Sequence, residues 1–514
     1  MSDDSKEYYS AKRLRWNTLV FSGGKVINAI LSLTIFYLIA ANLTKADFAT
    51  YAWLIAFVEL STNISRFGIN WAVDRYVPEL RSNLNSIALR RFIIGMAGLR
   101  LVIIIALAMV FHMIGQKVLA FGGKEDWLPA FDLYIVLLIP FAMMVFFRDV
   151  VFQSLLQQAH SQATTSIRHL VFLFVLIFFI FRSDPLALES VIYGEIAATI
   201  IAVMIALIQV GVLLRQLPYG MKPKAASTLR LRTVFRFAAN SYVNEVFRMS
   251  GSGYAVMSAA PNLLATAALA PYGFCQTLFT QLNRFLPAHL FSGLYRPKLI
   301  AQYTKTGSFE ILNRQLIMIL KISNYILAAS IAVFFIYGGE LLDWLSRGKY
   351  ADAHGLMLLF MVLMLVDNHR QVLMALCNTI ERVDILRRSS LVMPLVVPLA
   401  VVFVFAGFGS YGLALSLILP ELVCIGLIVY QLRRAGFTLQ FDGFSQARIA
   451  AASLIAMLIG LIIEGYLPDG FLWITAGMAM TSLVFLIAAR VLRPMNERER
   501  ASIERLVGRP IYVL

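Results

Sequence analysis

Four polar residues, Glu59, Asn63, Arg66 and Asn70, recur at i, i+4, i+7 and i+11 inside an otherwise apolar stretch. At 3.6 residues per turn this spacing puts all four on one helix face. Arg236, Asn240, Asn244 and Arg248 repeat the pattern at i+4 steps in a second apolar stretch, with Glu245 beside them. Lys25 and Asn28 follow Gly23-Gly24 in a third, where small residues let a neighbour or a ligand approach closely. Further stretches carry Arg100; Gln276, Thr280 and Arg284; and Asp367, Asn368, His369, Arg370 and Gln371. Cations gathered in this way suit non-covalent capture of an anion, because a guanidinium offers planar, bidentate donors to phosphate oxygens. The carboxylates of Glu59 and Asp367 suit proton exchange. A stripe of this kind is either an ion pair locking two helices, such as Glu59 with Arg66, or the wall of a cavity. Its recurrence in several stretches favours the cavity.

Bond-making chemistry finds little support. The string Gly407-Phe-Gly-Ser-Tyr-Gly412 fits GxGxxG, but it joins two apolar stretches and follows no strand. Walker and HExxH sequences are absent, and Cys275, Cys377 and Cys424 have neither zinc-type nor disulfide spacing. We therefore expect no catalytic residues, no metal, no cofactor and no enzyme activity, and read the cysteines as packing residues.

The elements holding these groups are membrane helices. A soluble fold does not sustain 59% hydrophobic and 14% charged residues over 514 positions. Between Asn17 and Arg490 lie about fourteen apolar runs long enough to cross a bilayer. Charged groups within them are costly unless they face a cavity or a partner. The net charge of +16 is no nucleic-acid signal. Most Lys and Arg fall in alternate inter-span segments, the positive-inside pattern, and an even span count puts both termini in the cytoplasm. No cleavable signal precedes the first span. The longest basic loop, with Lys222, Lys224 and Arg230, follows the sixth span. Tyr193-Gly194 and Tyr411-Gly412 open the sixth and twelfth spans, each at the same offset from Arg215 and Arg433, an echo expected of repeated halves. The expected fold is all-α and polytopic: a lobe at 1–220, a second at 221–440, and two extra helices with a basic tail at 441–514.

Several segments resemble the polysaccharide-transporter branch of the multidrug/oligosaccharidyl-lipid/polysaccharide (MOP) exporter superfamily, the Wzx-like flippases. They are residues 43–51 (LTKADFATY), 67–79 (FGINWAVDRYVPE), 270–274 (APYGF) on to 296–298 (RPK), and 339–343 (GELLD). The resemblance implies two six-helix lobes plus two helices in the bacterial inner membrane. It also implies transfer of undecaprenyl-diphosphate-linked oligosaccharide, an O-antigen or exopolysaccharide repeat, from the cytoplasmic to the periplasmic leaflet. Membrane lipids, a polysaccharide polymerase and a chain-length regulator are the implied partners, with no nucleic acid. Carried over by helix and depth, the substrate-binding residues are Lys25, Arg66 and Arg248, joined by Asn63, Asn244, Arg284 and Arg370 from the polar stripes. Glu59 and Asp367 are the coupling acids. Two alternatives stand beside this reading. One is a cation-coupled drug antiporter, although the first span holds Lys25 and no acid; the other is a membrane-embedded polymerase, although the external loops are short. Arginines typical of the lipid II flippase branch are replaced by Lys25 in the first span.

Overall fold

The computed structural model describes residues 11–82, 86–182, 186–216, 231–290, 299–300, 302–468, 470–497 and 499–501. The basic loop with Lys222, Lys224 and Arg230, the 296–298 segment and the tail beyond Ala501 lie outside the described residues, as do the side chains of Arg236, Asn240 and Asn244.

Among the described residues the chain is helical, with no strand. It divides into two compact units, Met1–Gly273 and Phe274–Leu514. The first holds α1 (Ala11–Asn42), α2 (Lys45–Ile64), α3 (Ile69–Ser82), α4 (Ser86–Phe121), α5 (Leu128–Phe146), α6 (Gln158–Arg182), α7 (Leu188–Gln216), α8 (Leu231–Ser250) and α9 (Gly253–Ala259). The division falls within α10 (Thr266–Asn283). The second unit holds α11 (Phe309–Ser346), α12 (His354–Thr379), α13 (Val383–Ser389), α14 (Val396–Phe403), α15 (Gly409–Arg434), α16 (Gly443–Glu464) and α17 (Phe471–Leu492). Whereas the boundaries at 220 and 440 come from counting helices, this division follows packing: α8 packs on α2 and α3, and both α16 and α17 pack on α11.

Ten helical segments among the described residues are long and apolar enough to cross a membrane. The runs at 389–406 and 411–432 count as one of them, Val383–Arg434, interrupted where Gly407 (φ 91°) and Gly409 (φ 53°) take left-handed backbone. The GxGxxG string is thus a break between helices. Helices α2, α8 and α10, which carry the polar stripes, are not among the ten. Their polar side chains dilute the apolar surface that lipid requires, so protein must cover them.

The second expected span, 47–71, is broken after Ile64, and the break positions the site. Helix ends leave carbonyls without intrahelical donors, a serious cost away from water. Here the Arg100 Nη2 donates to the Thr62 carbonyl (2.9 Å), Ser65 Oγ to the same oxygen (2.7 Å), and the Tyr242 hydroxyl of α8 to the Ile64 carbonyl (2.8 Å). Arg100, one of the charges carried by the apolar stretches, is 1% exposed and serves this buried backbone. Phe67 stacks on the Tyr242 ring, with centroids 4.8 Å apart and planes at 13°. Gly68 has φ 75°, and a Cβ there would lie 2.0 Å from the Ala238 carbonyl oxygen of α8. Only glycine allows both the backbone twist and the approach.

Close approach also governs α1 and α6. A Cβ on Gly24 would meet Gln162 at 2.8 Å, and Asn28 donates to the Gln162 side-chain oxygen (3.1 Å) while accepting from Ser166 (2.9 Å). In the second unit Leu316, Leu320, Leu376, Cys377, Cys424 and Ile428 share one core, and Cys275 is buried as well, so all three cysteines are packing residues. Ala452, Ala456, Ala488 and Ala489 let α16 and α17 lie close to α11. Lys321 of α11 is buried at 1% exposure; its Nζ donates to Asp442 Oδ2 (2.6 Å) and Glu499 Oε1 (2.8 Å). Asp442 also accepts from the Ser445 backbone N–H (3.0 Å), capping α16, while Asn496 and Glu499 cap each other's backbone (both 2.9 Å).

Two outcomes follow. Gly68→Ala is expected to lower thermal stability of the purified protein by about 2 kcal/mol or more, since Ala at a left-handed position with no room is strained on both counts. Burial alone would raise the Asp442 carboxyl, but the Lys321 ammonium and the Ser445 N–H more than offset this and hold it below the ordinary range. Its contribution is therefore complete above the unfolded carboxylate pKa of about 3.9 and is lost as pH falls further. Melting temperature should decline below about pH 4, and Asp442→Asn should both lower it near neutrality and flatten that acid limb.

Candidate ligand site in the N-terminal unit

Four pieces of chain build one cavity of ≈ 230 Å³, lined by Arg66, Gly68, Asn70, Trp71, Asp74, Asp149, Val150, Glu245 and Arg248. The break after α2 delivers Arg66 and Gly68. Helix α3 presents Asn70 and Asp74, four residues apart and so on one face, with Trp71 beside them and half exposed. Helix α5 runs into a π-helical turn at Phe147–Val151, and this wider turn supplies Asp149 and Val150. Helix α8 supplies Glu245 and Arg248.

A carboxylate shared by two guanidiniums sits at its centre. Glu245 Oε1 accepts from Arg66 Nη1 at 3.2 Å and from Arg248 Nη2 at 2.5 Å; Arg248 Nε adds a long contact to Oε2 at 3.4 Å. Glu245 is 7% exposed, whereas the Arg248 side chain is 43% exposed. The other two lining acids are also held: Arg148 grips Asp149 through two bonds of 2.7 and 2.6 Å, and the Ser154 hydroxyl donates to Asp74 Oδ1 at 2.8 Å. The lining thus holds two cations, Arg66 and Arg248, and three acids, Asp74, Asp149 and Glu245, with Arg148 bound to Asp149 from outside the lining. The cavity is polar, and its internal ion pairs can be exchanged for bonds to a ligand.

The expected site residues divide by place. Arg66 and Arg248 meet in the cavity. Lys25, half buried on α1, feels the field of Asp149. Glu59 on α2 acts electrostatically on Arg148. Asn63 is half buried in the last turn of α2 and its carbonyl accepts the Arg66 N–H at 3.1 Å. The Asn244 side chain is outside the described residues. Arg284, exposed just beyond α10, belongs to the second unit, as do Arg370 and Asp367. There Asp367 accepts from Asn283 (2.8 Å) and Arg370 (3.2 Å) and lies 3.1 Å from His289, while Arg370 also pairs with Glu421 of α15.

The sequence reading missed Arg148, Asp149 and Asp74, and took Glu245 only as a neighbour of its stripe. It also missed a network in the first unit, where Arg168 binds Glu195 (2.5 Å) and Thr199 (3.0 Å), and Tyr134 donates to Glu195 (2.7 Å). Charges inside apolar runs were the available signal, as in the adjacent pair Arg148-Asp149 within 131–153. Among the described residues no three His, Cys, Asp or Glu side chains gather as a metal site.

A family model described as Polysaccharide biosynthesis protein matches residues 14–252, in line with the resemblance found in the sequence. No curated protein matches the chain by sequence. Among solved structures, the lipid II flippase MurJ in an inward closed conformation is similar with a TM-score of 0.68 at 13% identity, covering 96% of this chain and 100% of that one. A multidrug resistance MATE family transporter of the MOP superfamily, inward-facing, gives a TM-score of 0.60 at 12% identity, covering 80% and 95%. A Vibrio cholerae MATE transporter gives 0.53 at 16% identity, covering 82% and 97%. The chain is a multi-pass membrane protein with the fold shared by MOP-superfamily flippases and transporters, and its residues 14–252 carry the pattern of the polysaccharide biosynthesis protein family.

Proposed function

We propose that this protein is a flippase for a lipid-linked oligosaccharide, carrying an undecaprenyl-diphosphate-linked repeat unit of a surface polysaccharide across the bacterial inner membrane. The carrying observation is the convergence of Arg66 and Arg248 on one cavity within the family-matched segment. Guanidiniums in a partly desolvated cavity suit a diphosphate, and Asn70, Asp74 and Trp71 suit sugar hydroxyls and a pyranose face. Lys25, which feels the field of Asp149, is the third cation of this reading. Alternating access exposes the site to each leaflet in turn, with both termini cytoplasmic and a polymerase and chain-length regulator receiving the product. An inside-negative potential favours outward movement of the anion by about 2.3 kcal/mol per charge per 100 mV. Glu59 and Asp367 are the carboxylates proposed for proton coupling.

A second reading, cation-coupled export of a cationic small molecule, is favoured by the three acids Asp74, Asp149 and Glu245 lining the same cavity and by the fold of the MATE transporters. One comparison in cells separates the two. Arg66→Ala and Arg248→Ala, each at normal protein level, are expected to cut surface-polymer export by roughly tenfold or more, since a hydrogen bond to a charged group is worth about 1.5–3 kcal/mol. The lipid intermediate should accumulate in parallel. Full export in both variants, or altered drug resistance with unchanged polymer, would defeat the flippase reading.

A further inference from the structure

One carboxylate oxygen serving two guanidiniums is an unusual economy of partners. Glu245 Oε1 holds both Arg66 and Arg248, although the two arginines come from separate elements, the break after α2 and the helix α8. Among the described residues Oε2 makes only the long contact to Arg248. Arg248 remains 43% exposed on its side chain and Arg66 27%, and both line the cavity, whereas the Glu245 side chain that also lines it is 9% exposed. Removing the acid outright would leave two cations facing each other in a partly desolvated space, an arrangement that needs a replacement anion.

We propose that Glu245 is a resident anion, occupying Arg66 and Arg248 in the empty site and displaced from them by the diphosphate of an incoming ligand. The inference rests on the flippase reading and deepens it. A diphosphate presents several oxygens to two guanidiniums, so both can form bidentate bonds where a single carboxylate oxygen is shared between them. Displacement has a mechanical consequence. The Arg66–Glu245 pair ties α8 to a break whose backbone is already left-handed at Phe67 (φ 42°) and Gly68 (φ 75°). Loss of that tie frees the break in the ligand-bound form alone, which is the differential interaction that a ligand-driven change of conformation requires.

The test uses the full-length protein in detergent, titrated with farnesyl diphosphate and, separately, with inorganic pyrophosphate. Glu245→Gln removes the competitor without changing its shape and is expected to tighten farnesyl diphosphate binding about tenfold, with slower export in cells because release is impaired. Glu245→Asp, too short to reach both guanidiniums, should tighten binding less and covers the case in which the glutamine variant does not fold. In an Arg66→Ala background the gain from Glu245→Gln should disappear. A gain for both probes assigns the effect to the diphosphate, and a gain for farnesyl diphosphate alone assigns it to a lipid-borne headgroup; either supports displacement. Unchanged or weaker binding by both Glu245 variants overturns it, while the flippase reading survives if Arg66→Ala and Arg248→Ala still weaken the probe. Binding indifferent to both arginines overturns the two together.

Discussion

Away from water, every backbone carbonyl that loses its helical partner needs another donor, and the first unit is organised around one such debt. The helix that would have run through residues 47–71 stops at Ile64. Its exposed carbonyls at Thr62 and Ile64 are met by Arg100 and Tyr242 from two different helices. A guanidinium with 1% exposure would otherwise be hard to account for in an apolar span; bound to a backbone oxygen, it closes a gap that no apolar side chain could close. Phe67 stacked on Tyr242 and Gly68 pressed against Ala238 then fix where the chain goes next.

Charged groups elsewhere obey the same constraint through pairing. Lys321 is neutralised twice, by Asp442 and Glu499; Arg168 is held by Glu195 and Thr199; Arg370 lies between Asp367 and Glu421. These groups are enclosed by their partners, whereas Arg66 and Arg248 share one acid and keep a face to a cavity. What separates these locking pairs from the proposed binding pair is access to a cavity, more than charge.

Periodicity explains what the sequence could and could not disclose. An all-helical membrane fold is written in the length of the apolar runs, and Arg66, Asn70 and Arg248 were visible because helical spacing put them on repeated polar stripes. Asp149, Glu195, Lys321 and Glu421 have no such repeat. The partners of Glu195, Lys321 and Glu421 lie tens of residues away in the chain, beyond the reach of any local pattern, and Asp149 is held by its own neighbour Arg148, a pairing with no helical period. The break at Arg66-Phe67-Gly68 had only one marker, a glycine within a polar stripe, which helices often tolerate. The π-helical turn at Phe147–Val151 had none, yet it brings Asp149 to the cavity wall. Arg100 was legible as a residue in a span but not as a backbone donor, because the carbonyl it serves exists only once the neighbouring helix is broken.

The break and the site are one construction. In an unbroken helix Asn63, Arg66, Asn70 and Asp74 would share a stripe whose direction was set by the helix itself. Once the chain leaves helical geometry at Phe67 and Gly68, the direction of Arg66 is set by contacts with α8: the Tyr242 stack, the Tyr242 bond to Ile64 and the Gly68 approach to Ala238. Helix α8 is also the source of Glu245 and Arg248. The two guanidiniums are therefore located relative to each other by contacts within a few turns of a single helix. Any shift of α8 along or around its axis changes the donor geometry at the cavity and the support of the broken backbone at once. A ligand that prefers one spacing of the two guanidiniums necessarily prefers one position of α8, and the left-handed backbone at Phe67 and Gly68, strained at the phenylalanine, is where a shift of α8 would be taken up.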